Sequence, residues 1–178
     1  MIRPKNKRSP LAKPGPPPSV ADLYDQHPGE ISVLMGWFFL RHLNQLYRNF
    51  RGDLLLPMVL GEIAHHNVCH YFSSGKAKAA SKGKRVEIME PCNPFSLSVA
   101  TGLPRETCRR KVHILVRQGL VRKHASGGYI ITPGLRAKFR EANQETLADI
   151  LGLMGDLEGI MGPALREQLN RKTKGGRG

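Results

Sequence analysis

Apolar positions recur at helical spacing through the first third of the chain. Ile31, Leu34, Met35, Phe38, Phe39, Leu43 and Leu46 predict a helix from about Gly29 to Phe50. Val33, Trp37, Leu40 and Tyr47 fill the neighbouring face of the same helix. That surface is wider than the single stripe of an ordinary surface helix, so burial on two sides is expected, the second either against another subunit or inside a monomeric bundle. Arg51-Gly52-Asp53 marks a turn, after which LLLPMVLGEIAHHNVCHYF reads as a second helix, with Pro57 in the first turn, where a missing amide is tolerated.

The most informative pattern lies between Phe95 and Thr132. Leu97, Val99 and Ala100 predict a short helix with Asn93 as its cap and Pro94 as its first residue, stopped by Gly102. A second helix opens at Pro104. Its apolar positions are Cys108, Val112 and Leu115, with Leu120 beyond, a narrow stripe that faces a core. Arg105, Glu106, Thr107, Arg109, Arg110, Lys111, His113 and Arg117 leave the rest of it polar and mostly basic. Gln118-Gly119 ends this helix, and Leu120–Lys123 and Tyr129–Ile131 flank Ser126-Gly127-Gly128 as the arms of a hairpin. A short strand is expected at Val86-Glu87-Ile88-Met89.

Thr132-Pro133 repeats the cap-and-proline signal and predicts a helix from Pro133 through Lys138, Phe139 and Leu147 to Leu151. Ile150, Met154, Leu157, Ile160 and Met161 continue the apolar spacing, while Gly152, Gly155, Gly159 and Gly162 interrupt it. Each glycine costs about 1 kcal/mol in a helix interior, so a break near Gly155 or Gly162, or close helix approach at the glycines, is expected.

Helix, sharp turn, basic helix and basic hairpin is the order of parts in a winged helix-turn-helix. TGLPRETCRRKVHILVRQGLV resembles the core motif of bacterial winged-helix regulators of the GntR and MarR types. That motif runs small-x-Gly-hydrophobic-(Ser/Pro)-Arg-x-Thr-hydrophobic-Arg, followed by Leu and then Gly-Leu-(Val/Ile). Cys108 stands where such proteins usually carry valine, and the wing is shorter and less basic than in many of them. The resemblance implies a mainly α fold with a small β-wing, in which helices from both chain ends pack across a two-fold axis as dimerisation helices.

Charge sharpens this picture once it is located. The net charge is +14. Residues 1–21 and 76–85 carry five Lys/Arg each and residues 171–178 carry four, and none of the three stretches holds an Asp or Glu. Within the remainder, residues 95–123 hold seven basic residues against one acidic. A basic face with basic tails on an otherwise neutral body is the electrostatic footprint of a nucleic-acid binder. The sequence therefore divides into a basic proline-rich arm (1–21) expected to be disordered, N-terminal helices (22–75), a basic loop (76–85), the winged helix-turn-helix (86–132), C-terminal helices (133–170) and a disordered basic tail (171–178).

Three cysteines, Cys69, Cys92 and Cys108, form no disulfide framework, and no apolar run is long enough for a membrane span. A cytoplasmic, nucleoid-associated protein with neither a membrane span nor a signal peptide is expected. His65 with Cys69, and His66 with His70, are i,i+4 pairs, each able to present two metal ligands on one face. Two ligands do not complete a structural zinc site, so no metal and no cofactor are expected. No nucleophile-elbow, phosphate-loop or paired-carboxylate pattern is present, and no enzymatic activity is expected.

The expectation for function is sequence-specific binding of double-stranded DNA by a homodimer that regulates transcription. Arg105, Thr107, Arg109, Arg110 and His113 are assigned to bases and phosphates of the major groove. Arg122, Lys123, His124 and Ser126 are assigned to the flanking backbone or minor groove. A small-molecule effector is left open. The alternative from another class is a nucleoid-type or RNA-associated adaptor that binds polyanions through its tails and uses the winged helix for protein contact. A metal- or thiol-responsive sensor on the same fold is a third reading.

Overall fold

The computed structural model describes residues 18–73, 89–162, 164–166 and 170. The arm up to residue 17, the whole 76–85 loop with residues 86–88 of the expected strand, and the 171–178 tail lie outside the described residues. The chain is mainly helical with one small antiparallel sheet. In order, the elements are α1 (Val20–Gln26), α2 (Pro28–Asn49), α3 (Leu55–Ser73), α4 (Pro94–Thr101), α5 (Arg105–Arg117), β1 (Val121–Lys123), β2 (Tyr129–Ile131), α6 (Gly134–Lys138) and α7 (Arg140–Met161). No helix among the described residues is long and apolar enough to cross a membrane.

Two compact units are present. One comprises the described residues up to Trp37 together with those from Ile150 onward. Here α1 corrects the expectation of disorder through residue 21. Ser19 accepts from the Asp22 amide while the Asp22 carboxylate accepts from the Ser19 amide, a complete capping box that starts the helix at Val20. Leu23 is buried on α1, as is Ile31 on the first part of α2, and the Tyr24 and Ser32 hydroxyls are bonded at 3.0 Å.

Of the two positions at which a break is expected, Gly155 is passed and Gly162 is where the helix ends. α7 runs unbroken past Gly152, Gly155 and Gly159 and ends where Gly162 takes a φ of +57°. Among the described residues, a Cβ at any of the three internal glycines would meet nothing within 4 Å, so they do not mark close helix approach there. Half-buried Leu153, Leu157 and Ile160, at i, i+4, i+7 spacing, hold the helix despite its glycines.

The second unit, Phe38–Asp149, contains the main core: Phe50, Leu56, Val59, Leu60, Ile63, Cys92, Leu97, Cys108, Val112, Leu115, Leu120 and Val121. The stripe read from the sequence on α5 is the buried one, with Cys108 as a core residue. Asn93 caps α4 by accepting from the Phe95 and Ser96 amides at 2.9 Å, and Gly102, with φ +69°, closes it. Val99 and Phe95, by contrast, are exposed.

The helix expected from Pro133 to Leu151 is two helices, α6 and α7, separated at Phe139. Phe139 stacks on Phe50 with ring centroids 5.4 Å apart. On α7, Ala142, Glu145 and Thr146 all bond the Gln45 amide of α2, and Arg41 pairs with Asp149 at 3.0 Å.

Candidate functional site

α3, α4 and α5 pack on one another through the core stripe, and β2 packs on α3. This arrangement turns the polar face of α5 outward beside the hairpin. β1 and β2 pair in the register Val121↔Ile131, Arg122↔Ile130, Lys123↔Tyr129. The turn between them requires glycine at 128: its φ is +72°, and a Cβ there would lie 3.0 Å from the Cys92 carbonyl oxygen.

The hairpin is fixed along its outer edge. Alternate residues of β2 point their backbone groups away from β1. At Tyr129 those groups exchange two hydrogen bonds with Cys92, at 2.8 and 3.0 Å. At the next outward position the Ile131 amide donates to Asn67 Oδ1 at 2.9 Å. Asn67 Nδ2 in turn donates to the Glu90 carbonyl at 2.7 Å and the Tyr129 carbonyl at 3.1 Å. Asn67 of α3, only 2% exposed, therefore stands in for a third strand together with the Cys92 bridge. Of the strand expected at Val86–Met89 only Met89 is described, and it is not in a strand; the bridge to this edge is at Cys92.

Between α5 and the hairpin lies a concave surface of about 720 Å³. Arg109, Arg110, His113, Arg117, Lys123 and Tyr129 line it, with Ile114 and Val116 at its base. The lining contains four Lys/Arg residues and, among the described residues, no carboxylate.

Of the residues singled out in the sequence, Arg109, Arg110, His113 and Lys123 are brought together here. Arg105 stands apart, its guanidinium 5.4 Å from the centroid of the exposed Phe95 ring. Thr107 is half-buried, and Arg122 is exposed but outside the concavity. His124 and Ser126 are engaged with each other in the hairpin turn: the Ser126 amide donates to His124 Nδ1, and its hydroxyl lies 2.7 Å from the same nitrogen.

Arg117 and Tyr129 join the group although the sequence reading did not assign them to it. Arg117 lies one turn beyond His113, a spacing visible in the sequence. Tyr129 becomes visible only once the strand register places it opposite Lys123. Lys111 is turned the other way, into a half-buried ion pair with Asp53 at the start of α3.

At the lip of the concavity Arg109 forms a two-pronged ion pair with Glu106. Nε donates to Oε2 and Nη2 to Oε1, both at 2.8 Å. The Arg109 hydrogen bonds hold the Glu106 carboxyl below its ordinary range, and Glu106 in turn raises Arg109.

Among the described residues, no group of three or more His, Cys, Asp or Glu is placed to hold a metal ion. His65 is exposed, the Cys69 thiol donates to the His66 carbonyl at 3.4 Å, and the side chain of His70 lies outside the described residues. Burial, with Glu62 and Glu90 nearby, pushes the Cys92 thiol up to about 11, which leaves it an inert core group. A second cavity of about 580 Å³ lies between Phe50, Leu60, Ile131, Leu135 and Phe139, with Arg136 as the charged residue in its lining.

Comparison of the chain with known families, curated proteins and solved structures returns no match.

Proposed function

We propose that the chain is a winged helix-turn-helix regulator of transcription that binds specific double-stranded DNA as a homodimer. In this reading α4 and α5 are the helix-turn-helix, α5 enters the major groove and β1–β2 is the wing. The observation that carries it is the concavity between α5 and the hairpin, whose lining residues include Arg109, Arg110, Arg117 and Lys123 and no carboxylate. Phosphates neutralised by such groups release counterions, and arginine on the outer face of α5 supplies base readout.

The dimer rests on a different observation. Val33, Trp37, Leu40 and Tyr47 of α2 are all more than half exposed in the single chain, and Leu147, Ile150, Leu151 and Met154 of α7 are exposed as well. Apolar groups in such number on each of these long helices are what a partner chain would cover. Light scattering at micromolar concentration is expected to return twice the 19.8 kDa chain mass; a monomer mass would overturn the dimer.

For the DNA site, Arg109→Ala is expected to cost about 1–3 kcal/mol on the preferred duplex and much less on random DNA. Equal losses on both would mean that Arg109 acts only on phosphates.

A further inference from the structure

From the pairing of Glu106 with Arg109 we infer that the two side chains act as one reading head, complementary to the major-groove edge of a G·C base pair. The inference rests on the DNA-binding reading above and names what that site selects.

Both residues lie in the first two turns of α5, the part of a groove-entering helix that reaches base edges. Both stay more than half exposed while paired, so neither is consumed in the core. The fork uses two of the five guanidinium donors of Arg109, and each Glu106 oxygen keeps a free lone pair. The pair thus presents donors and acceptors side by side, at fixed spacing and without further ordering.

A G·C pair offers, in sequence across the major groove, the acceptors N7 and O6 of guanine and then the amino donor N4 of cytosine. Arg109 meets the two acceptors and Glu106 the amino group. Substituting A·T exchanges the last two groups: the N6 amino donor now stands where O6 was, and the O4 acceptor where the N4 amino was. Arg109 then faces a donor and the Glu106 carboxylate faces an acceptor, so both contacts become like against like. Glutamine in place of Glu106 removes Glu106's share of this penalty, because its amide turns either a donor or an acceptor to the base, while Arg109 still faces the donor.

The test uses the full chain and duplexes selected from a random pool, followed by single base-pair substitutions across the selected site for wild type and Glu106→Gln. Glu106 is exposed, so the variant keeps its fold. The wild type is expected to lose about five- to hundredfold on replacing one G·C pair per half-site by A·T. Glu106→Gln is expected to lose several-fold less than the wild type at that pair, the remaining loss being that of the Arg109 contact, and to match the wild type elsewhere. An identical substitution profile in the two proteins overturns the inference. So does a uniform gain of Glu106→Gln at every position, since Glu106 would then only repel phosphates. A wild type without any sequence preference overturns the DNA-reading proposal itself, and this inference with it.

Discussion

Asn67→Ala is expected to lower the free energy of unfolding by about 2–4 kcal/mol, a large share of the stability of a domain this size. The loss has two parts. The Ile131 amide loses the partner that Asn67 supplies, while the Tyr129 carbonyl keeps the Cys92 amide, and truncating the buried side chain leaves a void in the core. A buried backbone group left unpaired costs about 1–3 kcal/mol, and the void adds to it. Asn67→Asp is expected to be no better, since a carboxylate still accepts from Ile131 but offers no donor to the two carbonyls and buries a charge. Denaturant unfolding of both variants checks this, and a change under about 0.5 kcal/mol would show that the hairpin edge is held by other means. The same bonds set where Tyr129 and Lys123 stand against α5, so the variant that still folds loses its preferred DNA in greater measure than its helical content.

Removing residues 1–17 and 171–178 together is expected to weaken binding to every DNA alike. The two stretches carry nine Lys/Arg and no acidic residue. Each phosphate contact contributes about 0.9 to the slope of log K against log salt. If three of the nine make contact, the slope flattens by about 2.7, and affinity near 0.15 M salt falls by about two orders of magnitude. The cut at residue 17 leaves the Ser19 cap of α1 in place, so the loss is electrostatic. A titration across salt concentrations distinguishes this from a folding defect, which would not change the slope. A deletion that abolished binding while Arg109→Ala left the specificity ratio untouched would favour the adaptor reading.

The helical scaffold was largely legible in the sequence because it is written in local signals. The spacing of Ile31 to Leu46 places α2 within a residue of its observed ends, and Asn93, Pro94 and Gly102 bound α4 as their chemistry dictates. Cys108, Val112 and Leu115 identify the buried side of α5 and hence its outward side. What escaped the reading depends on contacts distant in the chain. Nothing near Asn67 says that it completes a sheet, because its partners lie at 90, 129 and 131. Lys111 reads like its basic neighbours until Asp53, 58 positions earlier, is found beside it. The interruption at Phe139 likewise has no breaker residue to announce it, and its neighbour Phe50 lies far off in the chain. α1 is the exception: its Ser19–Asp22 box is local, and it was overlooked because a proline-rich stretch precedes it.

The central claim, that α5 and the hairpin read DNA sequence, is tested most directly by one ratio. A duplex selected by the full chain and a scrambled duplex of the same composition are titrated at physiological salt, with wild type and Arg109→Ala side by side. The account predicts that the wild type binds the selected duplex about a thousandfold or more tightly than the scrambled one, and that Arg109→Ala lowers that ratio by roughly five- to hundredfold. A wild-type ratio near one, or a ratio that Arg109→Ala leaves unchanged, would contradict it.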